Sequence, residues 1–105
     1  MKELFSQIKK VSKLEPNSVE EQIVKLTEEF GEFSVAHQRM KGRKKSKNGP
    51  DYDRKNLLEE GCDMMQIIMT ILAKEGFKYE DIYKELAYKT VKWEEKTRER
   101  IKKKS

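Results

Sequence analysis

The sequence has little that would cross-link the chain or divide it. Its single cysteine, Cys62, excludes a disulfide within the 105 residues and indicates a reducing compartment. Only two prolines and five glycines force the chain to turn. No apolar stretch approaches the roughly 18 to 20 residues that span a bilayer, and residues 1–10 lack the apolar region of a signal peptide. We therefore expect one cytoplasmic domain, residues 1–105, that makes no contact with membranes.

No stretch alternates apolar and polar residues in the way that predicts a strand. Apolar residues recur instead at helical spacing, which predicts helices at about 2–14, 18–40, 51–75 and 79–100. Ser18 and Glu21 have the spacing of a capping box at the second helix, and Gly76 follows the third as its C-terminal cap. Short connections between four helices predict an all-α, four-helix bundle-like domain.

The third predicted helix is apolar over more than half of its circumference. A helix of this kind packs on several sides, so it should be the central one. Its apolar surface exceeds what three short partner helices cover easily, which predicts a homo-oligomer, either a dimer or a tetramer. The residues concerned are Leu57, Leu58, Met64, Met65, Ile68, Ile71 and Leu72.

Positive charge is concentrated in two places. The net charge is +5, and much of the excess lies at residues 41–47, within a predicted loop over 41–52, and in the tail at residues 98–105. Basic runs attract phosphate-rich partners, either nucleic acid or nucleotide. The same runs are also typical of an exposed loop and a frayed helix end, and both interpretations remain open here.

Two acidic clusters, residues 28–32 and 59–63, interrupt the apolar helices. Glu29 and Glu32 share one helix face, as do Glu60 and Asp63. Glu60 falls within the apolar arc of its helix, where a bare carboxylate loses hydration at a cost of several kcal/mol. Close glutamates on a helix often form ordinary salt bridges with lysines. Two matched clusters on consecutive apolar helices instead favour a bound cation between them.

Carboxylate oxygens suit a hard cation. Mg²⁺ is the usual choice, and Mn²⁺ can substitute for it. A zinc site is excluded because the chain has one cysteine and one histidine, far apart. Mg²⁺ held by carboxylates typically keeps some waters and engages substrate phosphates. The clusters therefore predict a magnesium site of the kind that serves phosphoryl chemistry.

The arrangement Glu28-Glu29-x-x-Glu32, then 27 residues, then Glu60-x-x-Asp63 resembles the motif of a known family. It is similar to the all-α nucleoside triphosphate pyrophosphohydrolases of the MazG-like type. The segments VKLTEEFGEFSVA and NLLEEGCDMMQIIMTIL also resemble the second and third helices of that family. The resemblance covers about residues 18–100.

This resemblance implies a Mg²⁺-dependent hydrolase. It would cleave the α–β phosphoanhydride of a nucleoside triphosphate and release a nucleoside monophosphate and pyrophosphate. The residues that map onto the family's metal ligands are Glu29, Glu32, Glu60 and Asp63. Glu28 maps onto the residue that positions or deprotonates the attacking water. Members of the family also associate into oligomers.

Five further residues are candidates for substrate binding, each with a plainer alternative. Lys89 and Lys92 lie on or beside the apolar stripe of the fourth helix, where they can meet phosphates or snorkel to water. Trp93 can stack on a base or belong to the core. Phe33 and His37, one turn beyond the first cluster, can line a nucleobase pocket or be ordinary helix residues.

The alternative function is a basic helical nucleic-acid-binding or interaction protein without catalytic activity. It accounts for the basic loop and tail. It leaves the core-facing carboxylates unexplained, and they would repel a phosphate backbone. Aromatic residues are not interleaved with the basic ones, as stacking on bases would need. A nucleotide is therefore favoured over nucleic acid as the partner, while the base and sugar preference stays open.

Overall fold

The computed structural model describes residues 1–104, which form four helices and no strand. The all-α class is confirmed, and the predicted helix positions agree with the observed ones to within a few residues. The helices are α1 (Lys2–Leu14), α2 (Val19–Met40), α3 (Pro50–Lys74) and α4 (Tyr79–Lys104). None of the four, over residues 1–104, has a segment long and apolar enough to cross a membrane.

The ends of α2 and α3 are set by local sequence. Ser18 Oγ accepts a hydrogen bond from the Glu21 N–H at 3.1 Å, and Glu21 Oε1 accepts one from the Ser18 N–H at 3.2 Å. This confirms the predicted capping box. Pro50 occupies the first turn of α3, where its missing N–H costs nothing. Gly76, with φ of +87°, ends α3 in a conformation that favours glycine.

Helices α2 and α3 form an antiparallel hairpin, and α1 packs against α3 at the end of the hairpin away from the basic loop. Phe5 and Ile8 of α1 are buried, as are Ile67 and Ala73 of α3 and Ala36 of α2. Among the described residues no large side chain is fully buried. The core of a single chain is therefore small.

A polar network joins the α1–α2 connection to the end of α3. Lys74 Nζ donates to the Glu15 backbone oxygen at 2.8 Å and lies 3.4 Å from its carboxylate. Gln22 Nε2 donates to the same carboxylate at 2.7 Å. Burial tends to raise the pKa of Glu15, but the hydrogen bonds from Asn17, Gln22 and Lys74 outweigh it and leave the pKa lowered. The network fixes where α2 begins relative to α3.

Helix α4 is the least packed of the four helices. It contacts α1, where the Phe5 and Tyr79 rings are 6.2 Å apart and Lys2 lies 3.7 Å from Glu80. Within residues 1–104 it makes no contact with α2 or α3, and none of its residues is buried. A single chain therefore packs three helices together, and the fourth extends from α1 with most of its surface exposed.

Candidate metal centre

Three carboxylates meet between α2 and α3. One oxygen from each of Glu29, Glu60 and Asp63 lies within 4.8 Å of the others. Glu29 follows Leu26 by three residues on α2, and Glu60 precedes Met64 by four on α3, so both helices turn these acids toward each other. Antiparallel packing of the hairpin brings the two acidic clusters to the same level. The structure thus unites three of the four predicted metal ligands.

Two of the carboxylate oxygens are buried without a partner. Glu29 Oε2 and Glu60 Oε2 are inaccessible to solvent and accept no hydrogen bond within residues 1–104. Glu29 and Glu60 are half-buried, whereas Asp63 is exposed. An unpaired buried polar atom costs about 1–3 kcal/mol, and more if it is charged. The pair therefore destabilises the chain unless something positive binds there.

The pKa of Glu60 is raised by burial and by the neighbouring carboxylates. Its pKa is raised to about 7, first by burial, then by a hydrogen bond that its protonated form makes to Glu29, and by the negative charges of Glu32 and Glu29. Glu32 therefore faces the same space, although its oxygens lie outside the group of three. At neutral pH a proton or a cation is needed to relieve the repulsion.

No basic side chain of the described residues supplies that positive charge. Ion pairs seen among residues 1–104 include Lys2–Glu80, Lys55–Glu59, Lys74–Glu15 and Arg98–Glu94. None of them involves Glu29, Glu32, Glu60 or Asp63. Ordinary salt bridges therefore do not account for these four acids, in contrast to Glu59, which lies 3.9 Å from Lys55 on the exposed face.

The donor set fits a hard divalent cation. Mg²⁺ binds oxygen at roughly 2.0–2.1 Å, so two opposite ligands lie about 4 Å apart. The three oxygens lie within 4.8 Å of one another, so side-chain rotation can bring them to a single ion. Glu32 can then add a fourth carboxylate, and the exposed side at Asp63 leaves room for water or phosphate oxygens.

The predicted water-positioning residue lies beside this group. Glu28 is exposed on α2, one turn before Glu32, and lines a shallow surface depression with Val24 and Lys25. It is not among the three carboxylates that meet. Its carboxylate is free to reach a molecule held on the solvent side of the cluster.

The predicted substrate-binding residues divide into two groups. Lys89, Lys92 and Trp93 are exposed on α4, and Lys92 Nζ lies 5.2 Å from the centre of the Tyr88 ring. Because α4 does not touch α2 or α3, one chain does not bring these three residues to the carboxylates. Phe33 and His37 are half-buried on α2, one and two turns closer to the basic loop than Glu29.

The sequence did not predict two features of α3, the glycine beside the centre and a buried acid closer to the start of the helix. Gly61 follows Glu60 and lies beside the Phe33 ring of α2, and a Cβ placed there would make an ordinary van der Waals contact with that ring at 3.5 Å. Asp53 is 3% exposed and lies on the same side of α3 as Leu57 and Glu60. A small residue inside an apolar helix was a usable signal for Gly61. For Asp53 the sequence offered none beyond its place near the helix start.

Comparisons with models of known protein families, with curated proteins and with solved structures found no match. The function is therefore inferred from the residues of this chain and from the resemblance of their spacing.

Proposed function

We propose that the protein is a Mg²⁺-dependent nucleoside triphosphate pyrophosphohydrolase. The observation that carries the proposal is the pair of buried, unpaired oxygens of Glu29 and Glu60, which face each other with Asp63 beside them. Acids held this way in the metal-free chain are costly, and binding of a divalent cation offsets that cost. The acidic motif spacing, which resembles that of the MazG-like enzymes, supplies the substrate class.

In this proposal the four carboxylates hold the cation, and Mn²⁺ can replace Mg²⁺. When bound, the ion neutralises charge on the phosphates of the nucleotide. Glu29 and Glu60, which are half-buried, would hold the ion together with the exposed Asp63 and Glu32. Glu28, exposed beside them, positions a water for attack on the α-phosphorus and accepts its proton. Cleavage then releases a monophosphate and pyrophosphate.

The remaining substrate contacts belong to the same proposal. Phe33 and His37 lie on the helix that carries Glu29 and Glu32, and in this proposal they contact a base or sugar. Lys89, Lys92 and Trp93 are too far from the carboxylates in one chain, so their part in substrate binding requires a homo-oligomer. The proposal therefore includes both the nucleotide and a second copy of the chain as partners.

The test is the identity of the products. Purified protein is incubated with each common ribo- and deoxyribonucleoside triphosphate and Mg²⁺, and the phosphate-containing products are separated. The expected products are monophosphate and pyrophosphate, and Glu60→Gln should abolish their formation. Glu59→Gln is the matched control, because Glu59 adjoins Glu60 but pairs with Lys55 at the surface. Diphosphate plus phosphate, or equal activity in both variants, would contradict the proposal.

A further inference from the structure

The tip of the α2–α3 hairpin carries more positive charge than the whole chain carries net. Residues 33–50 contain six lysines and arginines and no acidic residue, and the net charge of +5 less these six leaves −1 for the rest of the chain. Among residues 1–104 none of the six takes part in an ion pair. We name residues 39–47 the basic tip, and its cations are Arg39, Lys41, Arg43, Lys44, Lys45 and Lys47.

The backbone of the basic tip is tied to the last turn of α2. The Gly42 N–H donates to the Arg39 backbone oxygen at 3.1 Å. The Arg43 N–H donates to the Gln38 backbone oxygen at 2.8 Å. Gly42 has φ of +76°, so these two bonds form the common motif that ends a helix on a left-handed glycine. The cations are therefore presented from a hydrogen-bonded loop.

The composition of the basic tip favours a phosphate-rich partner. The C-terminal end of α2 carries a partial negative charge of about one half, which one or two cations compensate. The nearest acids in sequence, Glu32 and Asp51, flank the stretch and do not interrupt it. Residues 41–49 contain no apolar side chain, whereas a protein partner or a membrane surface binds through apolar or aromatic anchors. Six like charges close together attract a chain of anions.

The basic tip lies too far from the acidic cluster to hold the phosphates of a nucleotide bound there. Lys41 follows Glu29 by twelve positions along α2, and Glu60 follows Pro50 by ten along α3. At 1.5 Å per residue these separations are about 18 Å and 15 Å. Both exceed the roughly 10 Å over which exposed charges act in salt solution. The cations of the tip therefore need phosphates other than those at the ion.

Side chains that suit bases lie between the acids and the tip. Glu29, Phe33, His37 and Lys41 follow one another at intervals of four along one side of α2. Phe33 and His37, the middle two, are half-buried. Tyr52, in the first turn of α3, is 48% exposed, and a base can stack on its ring. A strand of alternating bases and phosphates thus has contacts from the acids to the tip.

We propose that the substrate is the 5′-triphosphate end of a single-stranded nucleic acid, with the triphosphate at the acidic cluster and the following phosphodiesters on the basic tip. This inference rests on the proposed pyrophosphohydrolase function. Phosphates are about 3.4 Å apart along one strand of a duplex and further apart in an extended strand, so the gap spans about five nucleotides or fewer. The acids alone would repel such a strand, and the ion at its triphosphate removes that repulsion.

The reaction is the same hydrolysis on a longer substrate. The water oxygen forms a bond to the α-phosphorus and gives its proton to Glu28. The bond from that phosphorus to the oxygen bridging it to the β-phosphorus breaks, and this oxygen leaves with pyrophosphate. The strand keeps a 5′-monophosphate.

The kinetic test compares ATP with an oligoadenylate of about ten nucleotides that carries a 5′-triphosphate, because both present the same first nucleotide. Both are assayed with Mg²⁺ at about 50 mM salt, where phosphate contacts are strong. The oligonucleotide should have a kcat/KM at least tenfold higher than ATP. Joint replacement of Lys44, Lys45 and Lys47 by glutamine should lower the oligonucleotide value to that of ATP and leave the ATP value within twofold. All three side chains are exposed, so the fold is retained.

A binding test gives a readout that does not depend on catalysis. The same oligonucleotide with a 5′-hydroxyl and a 3′-fluorophore is titrated with protein in EDTA, and its anisotropy is followed at several salt concentrations. For a single strand the logarithm of the binding constant falls with that of the salt concentration by about 0.7 per cation engaged, so the triple tip variant should reduce this slope by about 2. Tyr52→Leu should weaken binding at least fivefold, because a stacked base is lost.

A matched control removes the same charge elsewhere. Joint replacement of Lys10, Lys13 and Lys84 by glutamine changes three exposed lysines outside the hairpin and should leave the salt slope and both kcat/KM values close to those of the wild type. Equal weakening by the tip variant and the control would show that net charge acts and not the tip, which overturns the inference. Cleavage of ATP with a kcat/KM equal to or above that of the oligonucleotide overturns the inference alone. Cleavage of neither substrate contradicts the proposed function as well.

Discussion

Replacement of Glu60 by glutamine should stabilise the metal-free protein and remove its response to cations. In the folded chain the pKa of Glu60 is about 7, against an ordinary value of 4.5. The folded state therefore binds a proton more tightly than the unfolded state. This contribution to the free energy of unfolding is complete below about pH 4.5 and is lost as the pH rises through 7. At pH 8 the ionised carboxylate costs the folded wild type stability, and glutamine does not.

The size of this effect follows from the two pKa values. Their difference corresponds to about 3 kcal/mol, and solvent around the partly exposed cluster reduces it, so we expect about 1–3 kcal/mol. For a chain of this length that is a rise in melting temperature of about 5–15 °C in EDTA at pH 8. Saturating Mg²⁺, at about 100 times its Kd, should stabilise the wild type by roughly 2.7 kcal/mol and leave Glu60→Gln nearly unchanged.

The assay is thermal unfolding by circular dichroism between pH 5 and pH 8, with EDTA or with Mg²⁺. In EDTA the difference between wild type and Glu60→Gln should be small at pH 5 and largest at pH 8. Glu59→Gln is the control and should stay within about 0.5 kcal/mol of the wild type at each pH, because its ion pair with Lys55 is exposed. If Glu60→Gln is no more stable than the wild type in EDTA at pH 8, Glu60 is not the strained member of the cluster.

Three further predictions concern other parts of the chain. Gly31→Ala should stabilise the protein by about 0.5–1 kcal/mol in urea unfolding, because nothing lies within 4 Å of the added Cβ and alanine favours a helix; a loss of stability would show that the site needs glycine. Lys74→Met should lower the melting temperature by about 5 °C, since it removes the hydrogen bond to the Glu15 backbone and the adjoining ion pair; an unchanged value would show the network to be dispensable. Glu28→Gln should lower kcat at least tenfold with Mg²⁺ affinity nearly unchanged; parallel loss of both would make Glu28 a metal ligand instead.

The helices were predictable because their signals are local. Ser18 with Glu21, Pro50 and Gly76 act within a few residues of the ends they set, so the sequence alone places those ends. The C-terminal end of α4 is harder to predict, because the lysines there are compatible with a helix but do not mark where it ends. It continues to Lys104, beyond the predicted end near Arg100.

The proximity of Glu29, Glu60 and Asp63 could be predicted in part. Helical spacing put Glu60 on an apolar face, and one connecting loop made an antiparallel hairpin the simplest arrangement. The contact between Gly61 and the Phe33 ring depends on side-chain packing, which spacing does not reveal. The position of α4 could not be predicted, because the spacing of its apolar residues marks one face of the helix but does not say which surface that face contacts.

Calorimetric titration of the metal-free protein with Mg²⁺ shows whether the acidic cluster binds a cation. The account predicts saturable binding by the wild type and by Glu59→Gln, and loss of that binding in Glu60→Gln. The titration is repeated with a non-hydrolysable nucleoside triphosphate, since substrate phosphates can complete the coordination of the ion. No saturable binding by the wild type, with or without the nucleotide, would contradict the account.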